Sequence, residues 1–322
     1  MNCLNKKAVA VLLLVLTLFV FAACSGNNTA NVVPSGKINI VTTIFPPADF
    51  AENVGGEYVE VNMLLKPGAE SHTFEPTPKD ILNIQNCDLF IYVGGESDTW
   101  IDGILESIDN PDLHTLKMID AVNALTEEHV EGMEEEHEHT DEDDGEEELD
   151  EHVWTSVRNA MAITEAIRDE LILIDGSHES EYRQNADEYI AKLSELDEEY
   201  RETVKSSKRQ EIIVADRFPF RYMAHEYGLS YYAAFPGCSS DSEPSAKTLS
   251  FLINKAEEDE IPVIFHIEFS NEKIADSVVE VVNAKKSLLH SCHNLSSEEL
   301  DRGEDYISIM RQNLANLKEA LN

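Results

Sequence analysis

The stretch EYRQNADEYIAKLSELDEEYRETVKSS, from Glu181 to Ser207, decides the architecture. Its apolar positions Tyr182, Ala186, Tyr189, Ile190, Leu193, Leu196 and Tyr200 recur at spacings of three and four. That is the stripe of an amphipathic α-helix. It contains neither Gly nor Pro, so nothing interrupts it. At about 1.5 Å per residue it reaches about 40 Å, long enough to run from one domain to another.

On both sides of this helix, strand and helix patterns alternate. Before it, KINIVTTIF (37–45), YVEVNMLL (58–65), DLFIYVGG (88–95) and the weaker HTLKMIDAV (114–122) read as strands. ADFAENVGG (48–56), PTPKDILNIQNCD (76–88) and TSVRNAMAITEAIRDELILID (155–175) read as helices. After it, EIIVAD (211–216), YGLSYYAAF (227–235), IPVIFHIEF (261–269) and KKSLLHS (285–291) read as strands. Here TLSFLINKAEED (248–259), NEKIADSVVEVVNA (271–284) and YISIMRQNLANLKEAL (306–321) read as helices. Such alternation specifies parallel sheets with crossover helices. About 285 residues exceed one comfortable core. The expected fold class is therefore α/β with two lobes, each a parallel sheet with flanking helices. The first lobe spans 37–180, the linking helix 181–207 and the second lobe 208–322. Ligand sites in such folds lie where strand C-termini and their loops meet, here in the cleft between the lobes.

The N-terminus reads MNCLNKKAVAVLLLVLTLFVFAAC. Lys6 and Lys7 precede about 14 apolar residues, too few for a membrane span of about 20. Residues 1–23 are a secretory signal, and Phe21-Ala22-Ala23-Cys24 resembles a lipoprotein cleavage box with Cys24 as the lipidated residue. The polar SGNNTANVVPSGK that follows makes 24–36 a tether from the lipid membrane to the folded body. The chain is expected outside the cytoplasm, lipid-anchored to the cell membrane, its soluble body monomeric. The formal charge is −39, which excludes nucleic acid as a partner and favours cations.

Much of that charge sits between Glu127 and Glu151, where 16 residues are acidic, none is Lys or Arg, and His129, His137 and His139 are interspersed. Such a run repels itself and cannot fold alone, so a mobile loop is expected. Its imidazoles offer weak metal ligands, so the expected role is a low-affinity metal collector, with sensing of zinc excess or added charge alone as the alternatives. Cys87 reads as a buried small hydrophobe. Outside the cytoplasm, Cys238 and Cys292 are candidates for a disulfide.

The candidate ligands fall at strand ends. His72, in KPGAESHTFEPTPKD, follows a Pro67-Gly68 turn after a strand. His152 precedes Trp154, and Thr155 or Ser156 is placed to cap the next helix. In the second lobe Asp216 ends EIIVAD and Glu268 ends VIFHIE, while His290, Cys292 and His293 lie in LLHSCHN. Imidazole, carboxylate and thiolate are ordinary ligands of a divalent metal. His266 faces away within its strand, and His114, His178 and His225 lack such a setting.

KPGAESHTFEPTPKD, DEHVWTSVRNA, the linking helix and DYISIMRQNLANLKEAL together resemble the zinc and manganese branch of metal-binding lipoproteins of ABC importers. The resemblance covers nearly all of 37–321. It implies His72 and His152 as metal ligands in the interlobe cleft. The acidic, histidine-containing insertion is typical of zinc-selective members. In ADRFPFRYMAHEYGL the usual third-ligand position holds Arg217, which has no lone pair to give. Asp216 or another residue, with Glu268 also a candidate, then stands in, or the site has three protein ligands and a water; Arg217 is placed to pair with Asp216 or Glu268 and orient that carboxylate. For the fourth ligand the HSCHN segment offers His293 ahead of His290.

The resemblance implies a Zn²⁺ carrier that docks on a membrane permease driven by a cytoplasmic ATPase. Mn²⁺ or iron is the alternative cargo, and an adhesin or interaction protein with a structural metal is the alternative of another class. The sequence has no HExxH helix and no P-loop, so an enzyme is not expected.

Overall fold

The computed structural model describes residues 36–133, 148–239 and 243–322. The signal segment, Cys24, His137 and His139 lie outside the described residues.

Eight strands form two four-stranded parallel sheets. β1 (Ile38–Thr42), β2 (Val59–Met63), β3 (Leu89–Tyr92) and β4 (His114–Lys117) make the first, in the order β2-β1-β3-β4. β5 (Glu211–Phe218), β6 (Ser230–Pro236), β7 (Val263–His266) and β8 (Lys285–Leu288) make the second, in the order β6-β5-β7-β8. The two sheets share one topology: the first strand of each lies second in the sheet, with successors on both sides. That arrangement creates a crevice above its C-terminal end.

The helices are α1 (Phe45–Gly55), α2 (Pro78–Asn86), α3 (Thr99–Ser107), α4 (Val157–Ile174), α5 (Glu179–Ser206), α6 (Arg221–Tyr227), α7 (Ala246–Glu258), α8 (Lys273–Val279), α9 (Ser297–Asp301) and α10 (Tyr306–Ala320). The 37–45 segment divides earlier than its pattern suggested. β1 ends at Thr42, and Pro46 and Pro47 occupy the first turn of α1. They fit there because the first helical N–H groups need no intrahelical partner. In α2 the Thr77 hydroxyl and the Asp80 carboxylate cap reciprocally, which fixes where the loop carrying His72 ends. Ser156 caps α4 by accepting from the Asn159 N–H. The short helices α3, α6 and α9 carry too few periodic residues to stand out in the sequence.

α5 buries Tyr182, Ala186, Tyr189, Leu193, Leu196, Tyr200 and Val204, so its apolar stripe is its inner face; Ile190 is half-buried at the edge. Its tyrosines pin it to both lobes. The Tyr189 hydroxyl donates to Asp49 Oδ2 in α1 at 2.6 Å, and the Tyr200 hydroxyl donates to the Met310 carbonyl in α10 at 2.7 Å. One apolar cluster runs through α5 and takes in Phe50 and Ile163 from the first lobe and Val214, Phe265 and Leu317 from the second. The outer face of each sheet has a separate, smaller cluster. No described helix is long and apolar enough to cross a membrane.

The described ends of the acidic segment are tied to the body of the protein. Thr126 and Leu149 form an antiparallel bridge, flanked by Glu127 N–H to Glu148 O at 2.8 Å and Asp150 N–H to Leu125 O at 2.9 Å. Met133 is buried. Glu128 accepts from the Tyr231 hydroxyl at 3.1 Å and pairs with Arg221 at 3.2 Å. The expectation of a mobile tract from 127 to 151 is corrected at both ends: here individual carboxylates find partners on the second lobe, which offsets their mutual repulsion. His129, in the same stretch, is exposed.

Candidate metal centre

The site is assembled from loops at strand C-termini. His72 comes from the loop after β2 and Ser97 from the turn after β3. Asp150, Glu151 and His152 come from the connection between β4 and α4. His72, Glu151 and His152 present ligand atoms all within 4.8 Å of one another. The His72 and His152 rings stand 5.5 Å apart between centroids, and Trp154 packs 5.5 Å from His152 on the other side.

Each imidazole is oriented by a carboxylate. Glu151 is held by the Ser97 hydroxyl at 2.6 Å and the Ser97 N–H at 3.0 Å, and its Oε1 lies 3.3 Å from His72 Nδ1. Because the Ser97 hydroxyl donates to Glu151, it accepts from His72 Nδ1 at 2.8 Å. Asp150 Oδ1 lies 3.2 Å from His152 Nδ1. In the neutral form both histidines therefore carry their proton on Nδ1 and leave the Nε2 lone pair free, as a metal ligand requires.

The second lobe adds a third imidazole. His293 Nδ1 donates to Glu268 Oε1 at 2.9 Å. Glu268, at the end of β7, is fully buried and accepts also from the Ser291 N–H at 2.7 Å. Desolvation opposes the charge of Glu268, yet His290, His293 and Ser291 outweigh it and hold its carboxyl well below the usual carboxylate range. His293 is buried, and its Nε2 has no hydrogen-bond partner among the described residues. The loop reaches this position through Cys292, whose φ of 66° is left-handed. That conformation is costly for a residue with a side chain and persists only where its surroundings impose it.

The same loop seats the second lobe on the first. The Phe45 N–H donates to the His293 carbonyl at 3.0 Å, and Asn294 Nδ2 donates to the carbonyls of Lys66 and Ala69 at 2.7 and 2.9 Å. Trp154 Nε1 donates to the Ser291 carbonyl at 2.7 Å, and the Tyr306 hydroxyl to the Trp154 carbonyl at 2.6 Å. Arg217, at the end of β5, donates to Glu70 Oε2 at 2.8 Å. The β5–β6 pairing shifts register between Val214 and Arg217, and a bulge of that kind re-aims the side chains that follow.

Burial is the first cause of the low pKa of His72, about 3; the neighbouring His152 and Arg217 push the same way. His72 is therefore a neutral imidazole at any working pH. Burial also acts against a charge on His152, but Asp150, Glu151 and Glu127 outweigh it and raise its pKa above the ordinary value.

The remaining sequence candidates go elsewhere. Asp216 turns to Ser270 and to backbone N–H groups of Arg217 and Ile267, so Arg217 pairs with Glu70 rather than with Asp216 or Glu268. Glu268 orients His293. His290 Nδ1 accepts from the Cys292 N–H at 2.9 Å and its Nε2 faces Glu299 at 3.5 Å, which directs it away from the cleft. Cys238 and Cys292 are free thiols rather than a disulfide. Cys238 sits near Glu127 and Glu151, while Cys292 is buried near Tyr200 and Tyr306. Glu151 escaped the sequence reading as one acid among many. Its place directly before His152 was the available signal.

Two parallel α/β lobes bridged by one helix, with imidazoles converging where loops of both lobes meet, define a metal-capturing binding protein of the two-lobed type. The family model for ZnuA, zinc-uptake complex component A periplasmic, matches residues 40–320, and the chain belongs to that family. It is 35% identical to the high-affinity zinc uptake system protein ZnuA of Bacillus subtilis, an alignment covering 98% of each chain. It is 34% identical to the zinc-binding lipoprotein AdcA of Streptococcus pneumoniae over 97% of this chain, but spans only 61% of that protein's length. Its structure resembles the Zn(II)-bound ZnuA-like domain of S. pneumoniae AdcA with a TM-score of 0.74 and 31% identity, covering 89% of this chain and 99% of that domain. The metal-dependent lipoprotein YcdH of B. subtilis gives a TM-score of 0.75 at 33% identity, over 88% and 99% of the two chains.

Proposed function

We propose that this protein is a high-affinity extracytoplasmic carrier that captures one Zn²⁺ in the interlobe cleft. It delivers the ion to the membrane permease of an ABC importer whose ATP is hydrolysed by a separate cytoplasmic subunit. In this reading it is lipid-anchored through Cys24, and it binds and releases its ion without chemical change.

One observation supports this most. Three imidazoles, half-buried His72 and buried His152 and His293, each engage an acceptor through Nδ1, so each can offer the Nε2 lone pair to an ion. A nitrogen-rich donor set of neutral imidazoles suits zinc, whose usual coordination is four. Manganese or iron would call for more oxygen, and Asp216, the carboxylate expected to supply it, turns to Ser270. Glu151, Asp150 and Glu268 act as orienting carboxylates; such partners are commonly worth about 10- to 100-fold in metal affinity.

The test is calorimetric titration of the intact chain and of H72A and H152A with Zn²⁺, followed by competition with Mn²⁺. Both variants should lose tight binding. Unchanged affinity in both rejects the site, and preference for Mn²⁺ rejects the cargo.

A further inference from the structure

Three imidazoles leave a four-coordinate zinc one donor short, and the usual second-lobe position holds Arg217. We propose that Glu70 supplies the fourth donor and that Arg217 is the cation it leaves in doing so: an internal exchange of guanidinium for metal. The inference rests on the zinc-site reading above and deepens it.

Glu70 lies two residues before His72 on the same loop and is half-buried. Its Oε2 is held by Arg217 Nη2 at 2.8 Å, across the cleft. Its Oε1 accepts from the Ser71 N–H at 3.2 Å and faces His293 Nε2 at 3.7 Å, beyond hydrogen-bond reach. That nitrogen, buried and without a partner, is the atom His293 would give to the metal. Glu70 is thus the carboxylate nearest the open side of the third imidazole, on the loop that carries the first. Burial works to raise the pKa of Glu70, and His293 and Arg217 outweigh that and lower it.

The physical argument is one of charge. Arg217 stays cationic at every accessible pH. Its charge also reaches His72. A dication entering among the imidazoles beside a guanidinium meets repulsion, which falls off slowly in a partly buried site. A carboxylate that turns from the guanidinium to the ion offsets this and completes tetrahedral coordination. Without the ion, Arg217 keeps Glu70 paired, so the empty cleft holds no uncompensated buried carboxylate. Arg217 therefore competes with zinc for one ligand. It lowers the affinity and favours release, and it is a positioning residue acting through Glu70.

A double-mutant cycle on the intact chain tests this, with Zn²⁺ alone as the probe and circular dichroism as the check of fold. E70Q should weaken binding at least about tenfold and R217Q should tighten it about tenfold, the range expected when a charge-assisted bond is removed or its competitor withdrawn. In the E70Q background the effect of R217Q should shrink to within about threefold, because the residue through which Arg217 acts is gone. A crystal structure of the zinc-loaded protein should place a Glu70 oxygen about 2.0–2.2 Å from the ion and separate it from Arg217. Equal tightening by R217Q in both backgrounds shows plain repulsion and overturns the exchange, as does a loaded structure with Glu70 still on Arg217. H72A separates the two levels: retained tight binding there rejects the zinc site itself, whereas loss there with an inert E70Q rejects the exchange alone.

Discussion

The chemistry of the cleft rests on where three imidazoles keep their protons. His293 shows the logic most simply. A carboxylate can only accept from its ring, so the 2.9 Å contact with Glu268 fixes the proton on Nδ1. Glu268→Gln replaces a buried anion by a neutral amide and weakens that constraint. Zinc affinity should fall about 10- to 100-fold with the fold retained, read by titration against a competing chelator; an unchanged affinity removes His293 from the ligand set. The two first-lobe histidines differ in how they answer pH. His72, with its pKa held near 3 by burial and cationic neighbours, carries no proton to release on binding zinc. His152, raised above 6.5 by Asp150, Glu151 and Glu127 against the effect of burial, must release one. Zinc affinity should therefore weaken as pH falls through the raised pKa of His152, by competition between proton and metal there. Calorimetry in buffers of different ionisation enthalpy counts the protons. The release assigned to His152 should vanish in H152A, and its persistence there assigns the proton to another group.

At the scale of elements, α5 carries the fold, and it was the most legible part of the chain. Its stripe of tyrosine, leucine and alanine has one periodicity over about six turns, so no local alternative competes. The strands were legible for the same reason, because buried parallel strands are short continuous apolar runs. The site was half legible. His72 and His152 sit in sequence beside turn and capping residues, so the chain announces them. The second-lobe set does not reduce to a local pattern: whether Asp216, Glu268 or His293 faces the cleft depends on the register shift in β5 and on the left-handed Cys292. The disulfide expectation failed on similar grounds, since two cysteines 54 positions apart carry no local sign of distance. Leu196, fully buried on α5 in the cluster shared by both lobes, gives the element its own test. Leu196→Ala should cost about 2–5 kcal/mol. Denaturant unfolding followed by tryptophan fluorescence, dominated by first-lobe Trp100 and Trp154, and by far-UV dichroism should shift together. Separate transitions would mean that α5 does not couple the lobes.

At the scale of the whole molecule, charge and site have to be separated. A chain of net charge −39 draws cations toward itself from all sides. The acidic segment from 127 to 151 supplies much of that charge. Yet its two ends do something else. Glu127 accepts from the Cys238 N–H at 3.0 Å, Asp150 orients His152, and Glu151 bridges Ser97 and His72. Gly237, next to Cys238, lies against His152, where a side chain's first carbon would come within 3.2 Å of the ring. The boundary acids thus belong to the site, and the collecting role proposed for the segment falls to residues 134–147, outside the described residues. Two deletions distinguish these roles. Replacing 134–147 by a short Gly-Ser link should leave the high-affinity titration unchanged and remove weak additional uptake of Zn²⁺. Deleting 127–148 takes away the bridge at Thr126 and the Glu127 anchor as well, so the loop presenting Asp150, Glu151 and His152 loses its fixed geometry. Tight binding should then weaken by at least about tenfold, in the range known for lost orienting partners. If both deletions behave alike, the division between collector and scaffold fails. Retained affinity in both would make the whole segment dispensable, whereas equal loss in both would place a true ligand between 134 and 147, with His137 and His139 the residues to substitute next.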